Sequence, residues 1–199
     1  MRNNIVLVDY ENVKAIDLRC LNQEDVRVII FLGSHQTKLP SELAIQMQAL
    51  GSRGEYVQMS GNGPNALDFH IAFTIGERSA LGAQVYFHVI SGDLGFDPLI
   101  TYLKKRKILA ARYKSIGDIP FVKASQAKTA QERAAYLTEF FQNSKVPRPQ
   151  TVKTLNNVIR QLFHLQLADE KAKEILEVLR KQKYIDIQEN KVVYMTPGK

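Results

Sequence analysis

The stretch Ile5-Val6-Leu7-Val8-Asp9-Tyr10-Glu11-Asn12 sets four aliphatic residues in a row, then three oxygen-bearing side chains (Asp9, Glu11 and Asn12) within four positions. An aliphatic run without alternation is what a strand buried on both faces requires. Such strands belong to parallel sheets with helices on both sides. In open α/β sheets the reactive groups sit just past the carboxyl ends of strands, where strand order reverses. Asp9 is therefore a candidate metal ligand or catalytic group. The plainer alternative is an Asp that only caps the next turn.

Working outward, Val26–Leu32 reads as a second buried strand that stops at Gly33. Pro40–Leu50 has helical spacing (Leu43, Met47, Leu50), with a proline suited to a first turn and Gly51 as a stop. Glu55–Met59 is a short third strand, followed by the loop Ser60-Gly61-Asn62-Gly63-Pro64 and a helix from about Asn65 to Gly76. Val85–Ile90 is the fourth strand. Ser91-Gly92-Asp93-Leu94-Gly95 follows, then a helix with Phe96, Leu99, Ile100 and Leu103 on one face. Ile108–Arg112 is the expected fifth strand. Strands alternating with helices imply right-handed βαβ units and an α/β, three-layer α/β/α sandwich with a mostly parallel sheet.

Residues 113–127 read as a connection, so the chain divides into 1–125 and 126–199. Helical segments are expected at about 128–142, 151–164 and 169–182, the first two separated by Ser144-Lys145-Val146-Pro147-Arg148-Pro149. The end, Tyr184–Tyr194, alternates like a hairpin around Glu189-Asn190. Three helices and a hairpin make a small winged-helix-like outline, one that also fits many protein-contact modules. Its third helix mixes Glu170, Glu174 and Glu177 with Lys171, Lys173 and Arg180, a poor surface for a DNA groove.

A net charge of +7 points to a polyanionic partner. Residues 1–125 hold 14 Lys and Arg against 12 Asp and Glu, and residues 126–199 hold 13 against 8. The C-terminal part is thus the basic accessory, expected to recruit RNA or a protein partner. The lone Cys20 leaves no internal disulfide and no Cys-rich zinc site. With no membrane-length apolar run and no signal-peptide pattern, a cytoplasmic protein is expected. A homo-oligomer is compatible with all of this.

Three candidate acids stand near strand ends: Asp9, Asp93 and, one helical turn on, Asp97; Asp68 lies near the start of the helix after the third strand. With strand order 3-2-1-4-5, Asp9 and Asp93 would flank the switch point and Asp68 would join them. Clustered carboxylates repel one another until a cation neutralises them. Hard oxygen donors suit Mg²⁺ or Mn²⁺ rather than zinc. Such ions can activate a water and stabilise charge on a scissile phosphate. No Ser or Cys nucleophile with a paired His is evident.

The segments Val8-Asp9-Tyr10-Glu11-Asn12, Asn65-Ala66-Leu67-Asp68-Phe69-His70 and Ile90-Ser91-Gly92-Asp93-Leu94-Gly95-Phe96-Asp97-Pro98-Leu99-Ile100 resemble the three motifs of PIN-like and NYN-type ribonuclease domains. The resemblance covers about residues 1–120. It implies the 3-2-1-4-5 sheet, a Mg²⁺ or Mn²⁺ site and cleavage of single-stranded RNA by metal-activated water. By position, Asp9, Asp68 and Asp93 match the family's metal-binding acids. Asn12 matches the amide after the first acid, and Ser91 the small hydroxyl residue after strand four. The NYN pattern commonly has a further acid where this chain has Gly95. Asp97 is the candidate substitute, able to face the way Asp93 does or simply to complement the helix dipole. Glu11 is an alternative outer-shell acid.

Lys104-Lys105-Arg106-Lys107, with Arg112 and Lys114, is the densest basic run. It is read either as an RNA-backbone contact or as a solvated helix C-terminus. The glycine loop before Asn65 could present N–H groups to a phosphate, although a turn with an Asn65 cap explains it equally. Tyr10 is placed to stack on a base or pack at the sheet edge. His70 is expected to pack, and His35 and His88 to be structural or exposed. Two rival readings are a non-catalytic PIN-like module that binds RNA or protein, which Gly95 favours, and a haloacid-dehalogenase-like phosphatase. The latter wants an Asp where Glu11 stands.

Overall fold

A computed structural model describes residues 3–13, 15–61, 63–81, 84–143, 147–163 and 169–195. Asn62 of the glycine loop, residues 144–146 of the proline-containing connection and residue 164 lie outside these. The chain forms two compact units, Met1–Ile119 and Pro120–Lys199.

The first unit is built on β1 (Asn3–Asp9), β2 (Val26–Leu32), β3 (Gly54–Gln58), β4 (Val85–Ile90) and β5 (Leu109–Tyr113). All adjacent pairs are parallel and the order is β3-β2-β1-β4-β5. Helices α1 (Ser41–Leu50), α2 (Ala66–Ala80) and α3 (Phe96–Lys105) flank the sheet. β1 lies at its centre, and Val6, Leu7 and Val8 are fully buried, each contributing about 1.5–3 kcal/mol of transfer free energy. The odd-numbered residues Ile5 and Leu7 pack with Ile29, Phe31, Phe87 and Val89 against Leu67, Ile71 and Ile75 of α2 and Phe96, Ile100 and Leu103 of α3. By strand alternation Val6 and Val8 face the other side of the sheet. A continuous aliphatic run is needed because neither face meets water.

Registers place Val8 opposite Ile90, so β1 and β4 end level and deliver Asp9 and Ser91 side by side to the carboxyl edge. Each crossover helix must run back antiparallel to the strands. α3 therefore starts at this edge and finishes at the opposite one, where Leu109 of β5 pairs with Tyr86 near the start of β4. The basic run Lys104–Lys107 consequently lies at the amino edge, roughly 15 Å of helix away from the acids. Arg112 and Lys114, near Tyr113, which pairs with Ile90, lie at the carboxyl edge.

Residues 113–127 are more ordered than a plain connection. A 3₁₀ turn at Ile116–Asp118 leads into α4 (Pro120–Gln126), where Phe121, Val122 and Ala124 are buried. Proline suits a helix start because its missing N–H is not needed there. The expected division at 125/126 thus falls at the end of α4, which belongs to the second unit.

That unit continues with α5 (Ala130–Asn143), α6 (Val152–Phe163), α7 (Asp169–Lys181) and the antiparallel pair β6 (Ile185–Gln188) and β7 (Lys191–Tyr194). Thr129 and Glu132 cap α5 reciprocally: the Glu132 N–H donates to Thr129 Oγ1 (3.1 Å) and the Thr129 N–H to Glu132 Oε2 (3.0 Å). Leu137, Leu155, Ile159, Ile175 and Leu179 are fully buried at its core. Among the described residues no helix is long and apolar enough to cross a membrane.

Candidate active site

At the carboxyl edge the side chains of Asp9, Asp68 and Asp93 line one cavity of about 240 Å³, together with Glu11, Asn12 and His35. Among the described residues no Lys or Arg lines it. The three acids come from the end of β1, the first turn of α2 and the turn after β4, which is how the 3-2-1-4-5 order gathers residues far apart in the chain.

Asp9 is fully buried and its carboxylate is held from four directions. Oδ1 accepts the backbone N–H groups of Glu11 and Asn12 (both 3.2 Å). Oδ2 accepts the Asn12 side-chain amide (2.7 Å) and the Ser91 hydroxyl (2.7 Å). Ser91, also fully buried, accepts the Asp93 N–H at Oγ (3.0 Å). One hydroxyl therefore links the loop that carries Asp93 to the carboxylate of Asp9. Asp93 Oδ1 in turn accepts the Gly95 N–H (2.7 Å). A Cβ at position 95 would stand 3.2 Å from Asp93 Oδ1. The position where NYN-type sequences commonly carry an acid is thus directly against Asp93, and here backbone occupies it.

Asp68 is the acid whose ionisation is opposed. Burial first, then the charges of Asp9, Asp93 and Glu11, push its carboxyl above the ordinary carboxylate value. Glu11, exposed, lies over the end of β2, where a Cβ at Gly33 would collide with Glu11 Oε1.

Asp97 does not reach the cavity lining. Its carboxylate forms a two-pronged pair with the Arg112 guanidinium, Oδ1 to Nε at 2.7 Å and Oδ2 to Nη2 at 3.2 Å, which holds it below the ordinary carboxylate range. Arg112 Nη1 also donates to the Ser91 carbonyl (3.1 Å). This arginine braces the turn after β4 from behind. Lys114, Lys104, Lys105, Arg106 and Lys107 are exposed, and only Lys114 shares the carboxyl edge.

His35 was expected to be structural or exposed; it is exposed and lines the cavity. The available signal was its place two residues past the stop of the second strand, where the rule for Asp9 applies equally. Asn65 stands at the N-cap of α2 in a left-handed conformation (φ 61°) with no side-chain cap hydrogen bond, so its presumed capping role is not what the turn uses. His70 Nδ1 bonds the Ala66 carbonyl (2.7 Å). His88 is buried on the sheet, stacked on Tyr86 and Tyr113. Tyr10 is buried.

The donor set suits a hard cation. Its oxygen donors are carboxylates and an amide, burial together with the neighbouring carboxylates raises Asp68, and the cavity has room for an ion that keeps its waters, roughly 200 Å³ with six of them. Among the described residues no three His, Cys, Asp or Glu side chains stand close enough together to hold a metal ion between them.

A parallel sheet in the order 3-2-1-4-5 with three acids lining one cavity at the switch point defines an α/β domain of the PIN type. The PIN-domain family model matches residues 3–113, more than half of the chain, and the chain belongs to that family. PIN domains are commonly nucleases, generally use divalent metal ions and generally bind RNA. No curated protein and no solved structure matches the chain.

Proposed function

We propose that residues 1–119 form a divalent-metal-dependent endoribonuclease acting on single-stranded RNA, with Asp9, Asp68 and Asp93 holding Mg²⁺ or Mn²⁺. One observation carries this reading: three carboxylates share a cavity that no described Lys or Arg lines, and burial together with the neighbouring carboxylates raises the carboxyl of Asp68. When bound, the cation supplies positive charge for the scissile phosphate and acidifies a water. The protein's part is preorganisation. Asp9 cannot swing because four hydrogen bonds hold it, and Ser91 transmits that rigidity to the Asp93 loop. Asn12, whose side chain is exposed, supplies an amide at the cavity mouth. Asp68, on a different element, closes the third side.

The second unit, basic with four helices (α4 to α7) and a hairpin, is the winged-helix-like accessory that brings RNA or a protein partner to the first. A second reading, a binding module without catalysis, is favoured by Gly95 and by the engagement of Asp97 with Arg112, which leave one acid fewer than the NYN pattern.

The full chain incubated with single-stranded RNA and Mn²⁺ should yield internal cleavage products, and Asp93→Asn should abolish them while RNA binding persists. Binding without product under either Mg²⁺ or Mn²⁺ in the unmutated protein would select the second reading.

A further inference from the structure

Helix α2 has a face that its own fold does not use. Leu67, Ile71 and Ile75 point into the core. The opposite side, about 60° of arc at 100° per residue, consists of Phe69, Phe73, Gly76 and Ala80, with Ala66 and Ala72 beside it. Phe69 and Phe73 are 69% and 70% exposed, and Leu81 just beyond the helix is 71% exposed. A surface helix ordinarily sets polar residues on the side opposite its core. Gly76, mid-helix, costs about 1 kcal/mol relative to Ala. A Cβ there would meet nothing within 4 Å in this chain, so nothing inside the unit explains the glycine.

The order of large and small residues indicates what covers the stripe. When two copies of α2 lie antiparallel about a two-fold axis between Thr74 and Ile75, Phe73 of one copy lies level with Gly76 of the other, and Phe69 with Ala80. Each ring then meets the smallest side chains of the stripe. An isologous interface demands this self-complementarity, and Gly admits the close approach of a ring. The two rings alone expose about 280 Å², taking roughly 200 Å² per phenylalanine. The stripe nevertheless runs the helix length of about 22 Å, which suits another helix better than a compact ligand.

We infer that the outward face of α2 is the interface of a homodimer, closed by Phe69 and Phe73 of each copy over Gly76 and Ala80 of the other. The inference does not depend on the nuclease reading. It would place the two Asp68 residues about 20 Å apart along the shared helix axis, with one cavity at each end of the pair. The interface is small against the usual ~800 Å² per partner, so the dimer should dissociate in the micromolar range.

Sedimentation equilibrium of the full chain at concentrations well above that range should approach twice the 22.6 kDa of one chain. Phe73→Glu should raise the dissociation constant at least a hundredfold, with circular dichroism and melting unchanged because that ring packs little within its own unit. Gly76→Ile keeps the stripe apolar but fills the space the rings need, and it should also give monomers. A sticky face without this geometry would tolerate Gly76→Ile, and that outcome would overturn the proposal. So would a monomeric unmutated protein, including one whose RNA affinity falls with Phe73→Glu, which would assign the rings to stacked bases. Added salt should leave the dimer intact, since the stripe carries no charge.

Discussion

Ser91→Ala tests whether one hydroxyl holds the acidic edge together. Ser91 Oγ donates to Asp9 Oδ2 at 2.7 Å and accepts the Asp93 N–H at 3.0 Å. A hydrogen bond to a charged group contributes about 1.5–3 kcal/mol, and a neutral one about 0.5–1.5 kcal/mol. Ser91 and Asp9 are both fully buried, so no water readily replaces the lost donor. The sum is a loss of about 2–4.5 kcal/mol. For a unit of 119 residues that corresponds to roughly 8–18 °C in melting midpoint, at about 4 °C per kcal/mol.

Asn12→Ala is the internal control. It removes a bond of the same 2.7 Å length to the same oxygen. Asn12 is exposed, so water takes its place and the loss should stay under about 1 kcal/mol. Urea unfolding followed by near-ultraviolet tyrosine dichroism reads both variants. A Mn²⁺ titration of the melting midpoint then reads the site, and Ser91→Ala should weaken apparent metal affinity about 10–100-fold, as loss of an outer partner of a ligand does. Equal losses in the two variants, or less than about 1 kcal/mol for Ser91→Ala, would refute the idea that burial makes Ser91 the strut.

Asp68→Asn should raise the melting midpoint in EDTA at pH 7.5 and remove the further rise that Mn²⁺ produces. The sign follows from the raised carboxyl: the folded state holds its proton longer, so stability falls as pH rises from the ordinary value of 3.8. The gain should therefore shrink as pH is lowered toward that value; a lower midpoint at pH 7.5 would count against the shared negative cavity. Asp97→Asn should leave cleavage within a few-fold of the unmutated protein, whereas Asp93→Asn abolishes it; equal losses in a product assay would return Asp97 to the site. His88, whose ring is buried and held neutral with its pKa lowered to about 3, donates from Nε2 to Asn4 Oδ1 (3.0 Å). Below the unfolded value near 6.5 only the unfolded chain takes up this proton, so stability falls by about 2 kcal/mol between pH 6.5 and 5. Urea midpoints at the two pH values should show that slope, and His88→Gln should remove it.

Much of this architecture is legible along the chain because burial on two faces leaves no choice of residue type. Ile5–Val8 is aliphatic since helices cover both sides of the central strand, and Asp9 follows directly where that run stops. The hairpin turn at Glu189, with φ of 56°, is legible for a similar local reason. The basic run illustrates a different case. Its charge is visible in sequence, but its distance from the acids follows only from the rule that a crossover helix returns antiparallel to its strands, so Lys104–Lys107 end at the wrong edge to guide a phosphate into the cavity.

Asp97 shows where one-dimensional reading stops. An acid four residues after Asp93 shares a helical face with it only if both occupy the helix. Here α3 begins at Phe96, and Asp93 lies in the turn before it, its carboxylate tied to the Gly95 N–H. The helical offset therefore does not apply, and Asp97 turns toward Arg112, a residue one strand away. Gly95 then has a direct consequence. With backbone rather than a fourth carboxylate against Asp93, the cavity carries one negative charge fewer than the NYN pattern, and any cation held there must keep more of its water. Gly95→Asp would restore that charge at the cost of crowding Asp93 Oδ1, 3.2 Å from the new Cβ. It should tighten Mn²⁺ binding in a melting titration if the missing acid is what limits the site.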